Sequence, residues 1–128
     1  MKDYQFDLSE RLLDFSAQVI RLLDQLPGTS AAKKIADQLI RSAMSVGANF
    51  EESRGSDSRA DFCHKLQIAL KEMRETRYWL CLIERAGMAD KGKMEELVRE
   101  ATELRAILGK SVATARGKGR DDHKTALT

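Results

Sequence analysis

The stretch Ser42–Leu80, SAMSVGANFEESRGSDSRADFCHKLQIALKEMRETRYWL, decides the fold of this chain. In its first part Ala43, Val46 and Phe50 recur three and four residues apart. In its second part Phe62, Leu66, Ala69, Met73, Thr76 and Leu80 keep the same spacing. That period is one face of an α-helix and not of a strand. Arg54 to Asp57 forms the turn between the two, with Gly55 placed to end the first helix and Ser58 to cap the second. Along the first helix runs a polar row of Gln38, Ser42, Ser45, Asn49 and Glu52, where a seam is normally apolar. One reading is a hydrogen-bonded seam that fixes register against the next helix, with Glu52 pairing to Arg41, Arg74 or Arg77. The other is a ligand site, which lacks any evident base–nucleophile pair.

Working outward, Leu12, Phe15, Val19, Leu22 and Leu26 predict a first helix over Leu8 to Leu26. Asp7 and Glu10 are spaced as its capping box, and Pro27-Gly28 stops it. The second helix is predicted from Ser30 to Ser53 with Ile35 and Leu39 on its seam. Gly47 in its middle is expected to admit a close helix approach. The third runs from Arg59 to Ala86, and Ile83 completes its seam. The fourth starts near Asp90 and carries Met94, Leu97, Ala101, Leu104 and Leu108. Long helices joined by short loops pack as antiparallel neighbours. The expected fold is therefore all-α, an up-down-up-down four-helix bundle over residues 1–115. A flexible, disordered basic C-terminal tail is expected over 116–128, where Gly117 and Gly119 stand among basic residues.

Composition fits this reading. A chain of 128 residues, 42% hydrophobic and 33% charged, forms one globular domain, and a single proline favours helix over strand. The formal net charge is +2. The segment after Val112 carries Arg116, Lys118, Arg120 and Lys124 against Asp121 and Asp122, which leaves the body near neutral. Global charge is thus no argument for nucleic acid. The opening residues MKDYQFDLSE have no apolar signal core, and the run Trp79–Ile83 is far short of the roughly 20 residues of a membrane span. A soluble cytoplasmic protein with no membrane partner is expected. Cys63 and Cys81 are separated by about 27 Å on one helix, beyond disulfide reach. Free thiols fit the cytosol.

Motifs of catalysis are missing. There is no Walker loop, no Gly-rich dinucleotide loop and no Ser–His–Asp signature. Asp61 and His64 make one i, i+3 pair, short of the set a bundle metal site needs. Cys63 and His64 adjoin but point to different faces. No enzyme, cofactor or metal is expected. The third helix carries more. Ile68, Trp79 and Leu82 form a second apolar stripe, with Glu72 and Glu75 among them, that faces either another subunit or a neighbouring helix. Gln67, Lys71, Arg74, Tyr78 and Arg85 share another side. Cations with one aromatic there grip phosphates and stack a base, or else form a solvated face or intersubunit salt bridges to Glu72 or Glu75.

Arg41, the run Ser45-Val46-Gly47-Ala48-Asn49-Phe50-Glu51-Glu52, then Arg59-Ala60-Asp61-Phe62, Leu66, Ile68-Ala69 and Glu75 resemble a known pattern. It is that of the four-helix-bundle family encoded in intervening sequences of bacterial 23S ribosomal RNA genes, which also includes the accessory protein of diversity-generating retroelements. The resemblance covers roughly residues 8 to 112, with Ser53 standing where many relatives have glycine. It implies that Ser45, Asn49, Glu52, Phe62 and Glu75 are structural positions of the bundle. It implies a ring-like homopentamer and, in the retroelement branch, a basic surface that binds nucleic acid and a reverse transcriptase. The combined expectation is a non-enzymatic, self-assembling adaptor. It would bind RNA, DNA or a nucleic-acid enzyme through Lys71, Arg74, Tyr78, Arg85 and the tail residues Arg116, Lys118 and Arg120. Ile68, Trp79 and Leu82 would form its oligomer contact. The alternative is a protein–protein scaffold without nucleic-acid binding.

Overall fold

The structure, a computed structural model, describes the backbone of residues 4–127 and the side chains of residues 7–117. Four helices follow one another: α1 (Tyr4–Leu23), α2 (Ser30–Arg54), α3 (Arg59–Arg85) and α4 (Lys91–Leu127). Each packs against its chain neighbours, and α1 also closes on α4, so the chain is an antiparallel four-helix bundle. No helix of the described residues is long and apolar enough to cross a membrane.

Local chemistry sets the helix ends. Thr29 caps α2, its Oγ1 accepting from the Ala32 N–H at 3.2 Å. Ser58 caps α3 in the same way, accepting from the Asp61 N–H at 3.1 Å, and Asp90 accepts from the Lys93 N–H at 3.0 Å at the start of α4. Gly55 ends α2 as the sequence implies. Gly87, at φ +67°, turns the chain after α3 so that the Met88 N–H reaches back to the Ile83 carbonyl at 3.2 Å. Both ends of α1 differ from the reading above. α1 begins at Tyr4, which places Asp7 inside its first turn, and it ends at Leu23. Asp7 therefore acts there as a favourable charge on the helix dipole and not as a cap. α4 continues in helical form to Leu127. The side chains of Lys118, Arg120 and the rest of the expected tail beyond residue 117 lie outside those described.

The apolar seams meet in one core. Leu12, Phe15, Val19 and Leu22 of α1 meet Leu39, Val46 and Phe50 of α2, Leu66, Met73, Leu80 and Ile83 of α3, and Met94, Leu104 and Leu108 of α4, all buried. Leu26, Ile35 and Phe62 pack at its margin, half-buried. Small residues Ala43, Ala69 and Ala101 are fully covered as well and let the helix axes approach. Gly47 does not serve that purpose. A Cβ built on it meets nothing within 4 Å, so no neighbouring helix stands against position 47.

Among the described residues three buried side chains are polar: Ser42, Ser53 and Thr76. The Thr76 hydroxyl lies 2.9 Å from Ser42 Oγ and 2.8 Å from the Glu72 carbonyl, and Ser42 donates to the Leu39 carbonyl at 3.2 Å. Ser53 donates to the Phe50 carbonyl at 2.6 Å. No buried side-chain N or O among the described residues lacks a partner. The polar row is thus a structural seam only at Ser42. Ser45 and Asn49 are half-buried and bond to each other within α2, Asn49 Nδ2 donating to Ser45 Oγ at 3.0 Å, while Gln38 and Glu52 are exposed. Glu52 does not pair with Arg41, Arg74 or Arg77. Its carboxylate meets Lys65 Nζ at 2.9 Å, because the turn at 55–58 folds position 52 onto the first turns of α3.

Candidate nucleic-acid interface

The bundle has four seams, and their charges are settled differently. Between α1 and α4, Arg11 bonds to Glu100 at 2.6 Å and approaches Glu103 at 3.5 Å. The hydrogen bond to Glu100, partly opposed by burial, holds the Arg11 guanidinium above its already high ordinary range. Between α2 and α3, Arg41 bridges to Glu72 at 3.3 Å and to Glu75, and Glu52 holds the Lys65 ammonium above the usual lysine range through a direct hydrogen bond. Between α1 and α2, Arg54 donates to Ser9 at 2.7 Å and stands 3.9 Å from Glu51.

The α3–α4 seam has no such neutralisation. Among the described residues its two polar cross-links join arginines to uncharged groups. Arg77 Nε donates to Thr102 Oγ1 at 2.8 Å. Gln67 Oε1, with the amide oriented to satisfy its neighbours, accepts from Arg116 Nε and Nη2, both at 3.1 Å. These links run residues 67–77 of α3 antiparallel to 102–116 of α4. Arg105 falls on the same side of α4 as Thr102, Gly109 and Arg116, at i+3 from Thr102, and so faces the middle of that stretch. Arg74 lies on the α4 side of α3, with Lys71 and Tyr78 just outside it. Among the described residues no carboxylate pairs with Lys71, Arg74, Arg77, Arg85, Arg105 or Arg116. Glu72 and Glu75, the acids nearest the stripe on α3, are drawn to the opposite side by Arg41.

The structure therefore brings Lys71, Arg74, Tyr78 and Arg116 onto one face and adds Arg77 and Arg105. Arg85 continues the line on α3, at an end where the register also brings Glu95. The side chains of Lys118 and Arg120 lie outside those described. The contribution of α4 escaped sequence reading because it depends on the register between two helices far apart in the chain. Thr102, Arg105, Gly109 and Arg116 at i, i+3, i+7 and i+14 were its available signal.

The other sequence-singled residues are dispersed. Phe62 is half-buried at the core margin, and Glu75 accepts from Trp79 Nε1 at 3.0 Å while holding Arg41. Trp79 itself packs on the core, half-buried, with Tyr78 edge-on at a ring separation of 5.0 Å and an interplanar angle of 74°. Ile68 and Leu82 are half-buried on the outer side of α3. Sequence reading missed a second apolar strip, in which Leu13 and Ile20 of α1 are 66% and 49% exposed and Met44 of α2 is 58% exposed. The link between Arg54 and Ser9 sets the α1–α2 register and places these three along the outside of that seam. The spacing of Leu13 and Ile20, seven apart and off the main seam, was visible in the sequence.

A groove of about 580 Å³ opens at the α2–α3 turn over Phe50, Phe62 and Leu66, rimmed by Arg54, Arg59 and Ser58. Among the described residues no three His, Cys, Asp or Glu side chains are grouped to hold a metal ion.

Comparison with known proteins agrees with this architecture. The sequence model of the family described as 23S rRNA-intervening sequence protein matches residues 5–110. A solved crystal structure, of a protein with unknown function from the S23 ribosomal protein family of Bacteroides thetaiotaomicron VPI-5482, superposes with a TM-score of 0.76 at 33% identity. The match covers 82% of this chain and 97% of that one. No curated protein matches significantly.

Proposed function

The chain belongs to the 23S rRNA-intervening sequence protein family, and we propose that it is a non-enzymatic bundle that binds nucleic acid across the α3–α4 face. One observation carries the reading. Across the α1–α4 and α2–α3 seams Arg11, Arg41 and Lys65 meet carboxylates, whereas Arg77 and Arg116 are held by a hydroxyl and an amide, and Lys71, Arg74 and Arg105 face solvent or neutral neighbours. Cations fixed in place yet not neutralised are available to phosphates. The net charge of +2 is irrelevant to this, because the field that matters is local.

The test is equilibrium binding of the whole chain to labelled RNA and DNA over a range of salt. Engagement of about four phosphates gives a slope of log K against log salt near −3 to −4. Arg74→Glu and Arg105→Glu each weaken binding about tenfold or more and flatten that slope. Salt-independent binding, or none, sinks the reading in favour of a scaffold that contacts only proteins.

Self-assembly is favoured by a separate observation. The chain presents two apolar areas, Leu13, Ile20 and Met44 on the α1–α2 side and Ile68 and Leu82 on α3, with the Arg41 bridge between them. Two unlike patches on one chain join head to tail, and such contacts close into a ring when the rotation permits. A five-membered ring is the form that the family resemblance implies.

A further inference from the structure

The geometry points to a single-stranded segment, rather than a duplex, as the ligand of the α3–α4 face, with Tyr78 as the platform on which one base stacks. This rests on the nucleic-acid reading above and narrows it. Tyr78 is 59% exposed although its ring is not loose. It stands 5.0 Å from Trp79, whose Nε1 is tied to Glu75, and Glu75 is tied in turn to Arg41. A ring braced on one side with most of its surface open has little freedom left to lose when a base settles on it.

Cations flank that ring along the helix. Arg74 is one turn before Tyr78, Lys71 two turns before and Arg85 two turns after, and the line from Gln67 to Arg85 spans about 27 Å. That length suits a few consecutive nucleotides of one backbone running beside the ring. A duplex keeps its base faces stacked inside and would meet Tyr78 only with sugar and phosphate, which gives an exposed aromatic nothing to stack on. An unpaired strand offers a base face to the ring and phosphates to the cations on both sides. Unpaired DNA and unpaired RNA share this chemistry.

The experiment titrates the full-length protein with oligo-dT, oligo-rU and a duplex of equal length, following emission of Trp79, the single tryptophan. The expected result is single strands bound about tenfold or more tighter than the duplex, with a change in Trp79 emission. Tyr78→Ala weakens single-strand binding by about 5- to 100-fold and leaves duplex binding unchanged, while Tyr78→Phe binds like the parent. A preference for dT or for rU identifies the sugar and supports the inference either way. Equal affinity for duplex and single strand, with Tyr78→Ala silent while Arg74→Glu still weakens both, overturns the single-strand inference and leaves the nucleic-acid reading standing. Absence of binding to all three overturns both. Because Tyr78 is exposed, its variants keep the fold, and circular dichroism of each provides the check.

Discussion

At the scale of residues, the pair Ser42 and Thr76 is the most informative. Two hydroxyls occupy the interior of the α2–α3 contact, and each finds a partner without help from solvent. Thr76→Val keeps the shape and removes one donor, while Ser42 still donates to the Leu39 carbonyl. The expected loss is about 1 kcal/mol, as is that of Ser42→Ala. The double variant loses less than the sum, because both single variants remove the same Thr76–Ser42 contact, which can be lost only once. Urea unfolding of the four proteins checks this, and strictly additive losses would contradict it. Ser53 is buried in the same way and satisfies its hydroxyl on the Phe50 carbonyl of its own helix. What was legible at this scale followed from one-dimensional period. Nearly every seam residue named from spacing is buried, because a 3.6-residue repeat fixes which side a residue faces. The partner of Glu52 was misread because pairing depends on two helices at once. Folding the chain back at the 55–58 turn carries position 52 to Lys65, while Arg74 and Arg77 lie further along α3.

Helices as elements obey propensity where packing leaves them free. Gly47 and Gly109 both lie inside helices, and a Cβ at either meets nothing within 4 Å. Gly47→Ala and Gly109→Ala should each stabilise the protein by about 0.5–1 kcal/mol, since only the entropy of the glycine backbone is removed. Gly87→Ala has the opposite sign. Its φ of +67° is a conformation that an L side chain resists, and the substitution should cost about 1 kcal/mol despite the open space around it. Thermal unfolding read by circular dichroism separates the two cases, and a destabilising Gly109→Ala would mean that the helix meets something at that face. The expectation that Gly47 admits a neighbouring helix failed for an instructive reason. A glycine in a helix marks close approach only when a neighbouring element stands against it, and at the edge of the seam beside Ala43 nothing does. The basic face of α3 and α4 was half legible for a related reason: the α3 stripe follows from period alone, the α4 half only from the register that Arg77–Thr102 and Gln67–Arg116 fix.

At the scale of the whole molecule, the arrangement of the apolar surface governs how copies meet. A two-fold dimer uses one patch against itself, whereas a ring uses two different patches, each complementary to the other. The α1–α2 strip and the outer side of α3 are such a pair in position, and they point in different directions. Charged substitutions can tell the two schemes apart. Ile20→Lys with Met44→Glu disables the first patch, and Ile68→Glu disables the second. Each variant alone should run as a single chain in light scattering, while the parent runs as an oligomer. An equimolar mixture of the two variants retains one intact patch of each kind, so in the ring scheme it forms a heterodimer and stops there, with nothing left to extend it. Under a two-fold scheme that uses only one of the patches, one variant still dimerises alone and the mixture gains nothing. A parent that scatters as one chain rejects both schemes. It would leave the α3–α4 face to bind nucleic acid singly, with a salt slope set by one set of cations instead of by a ring of them.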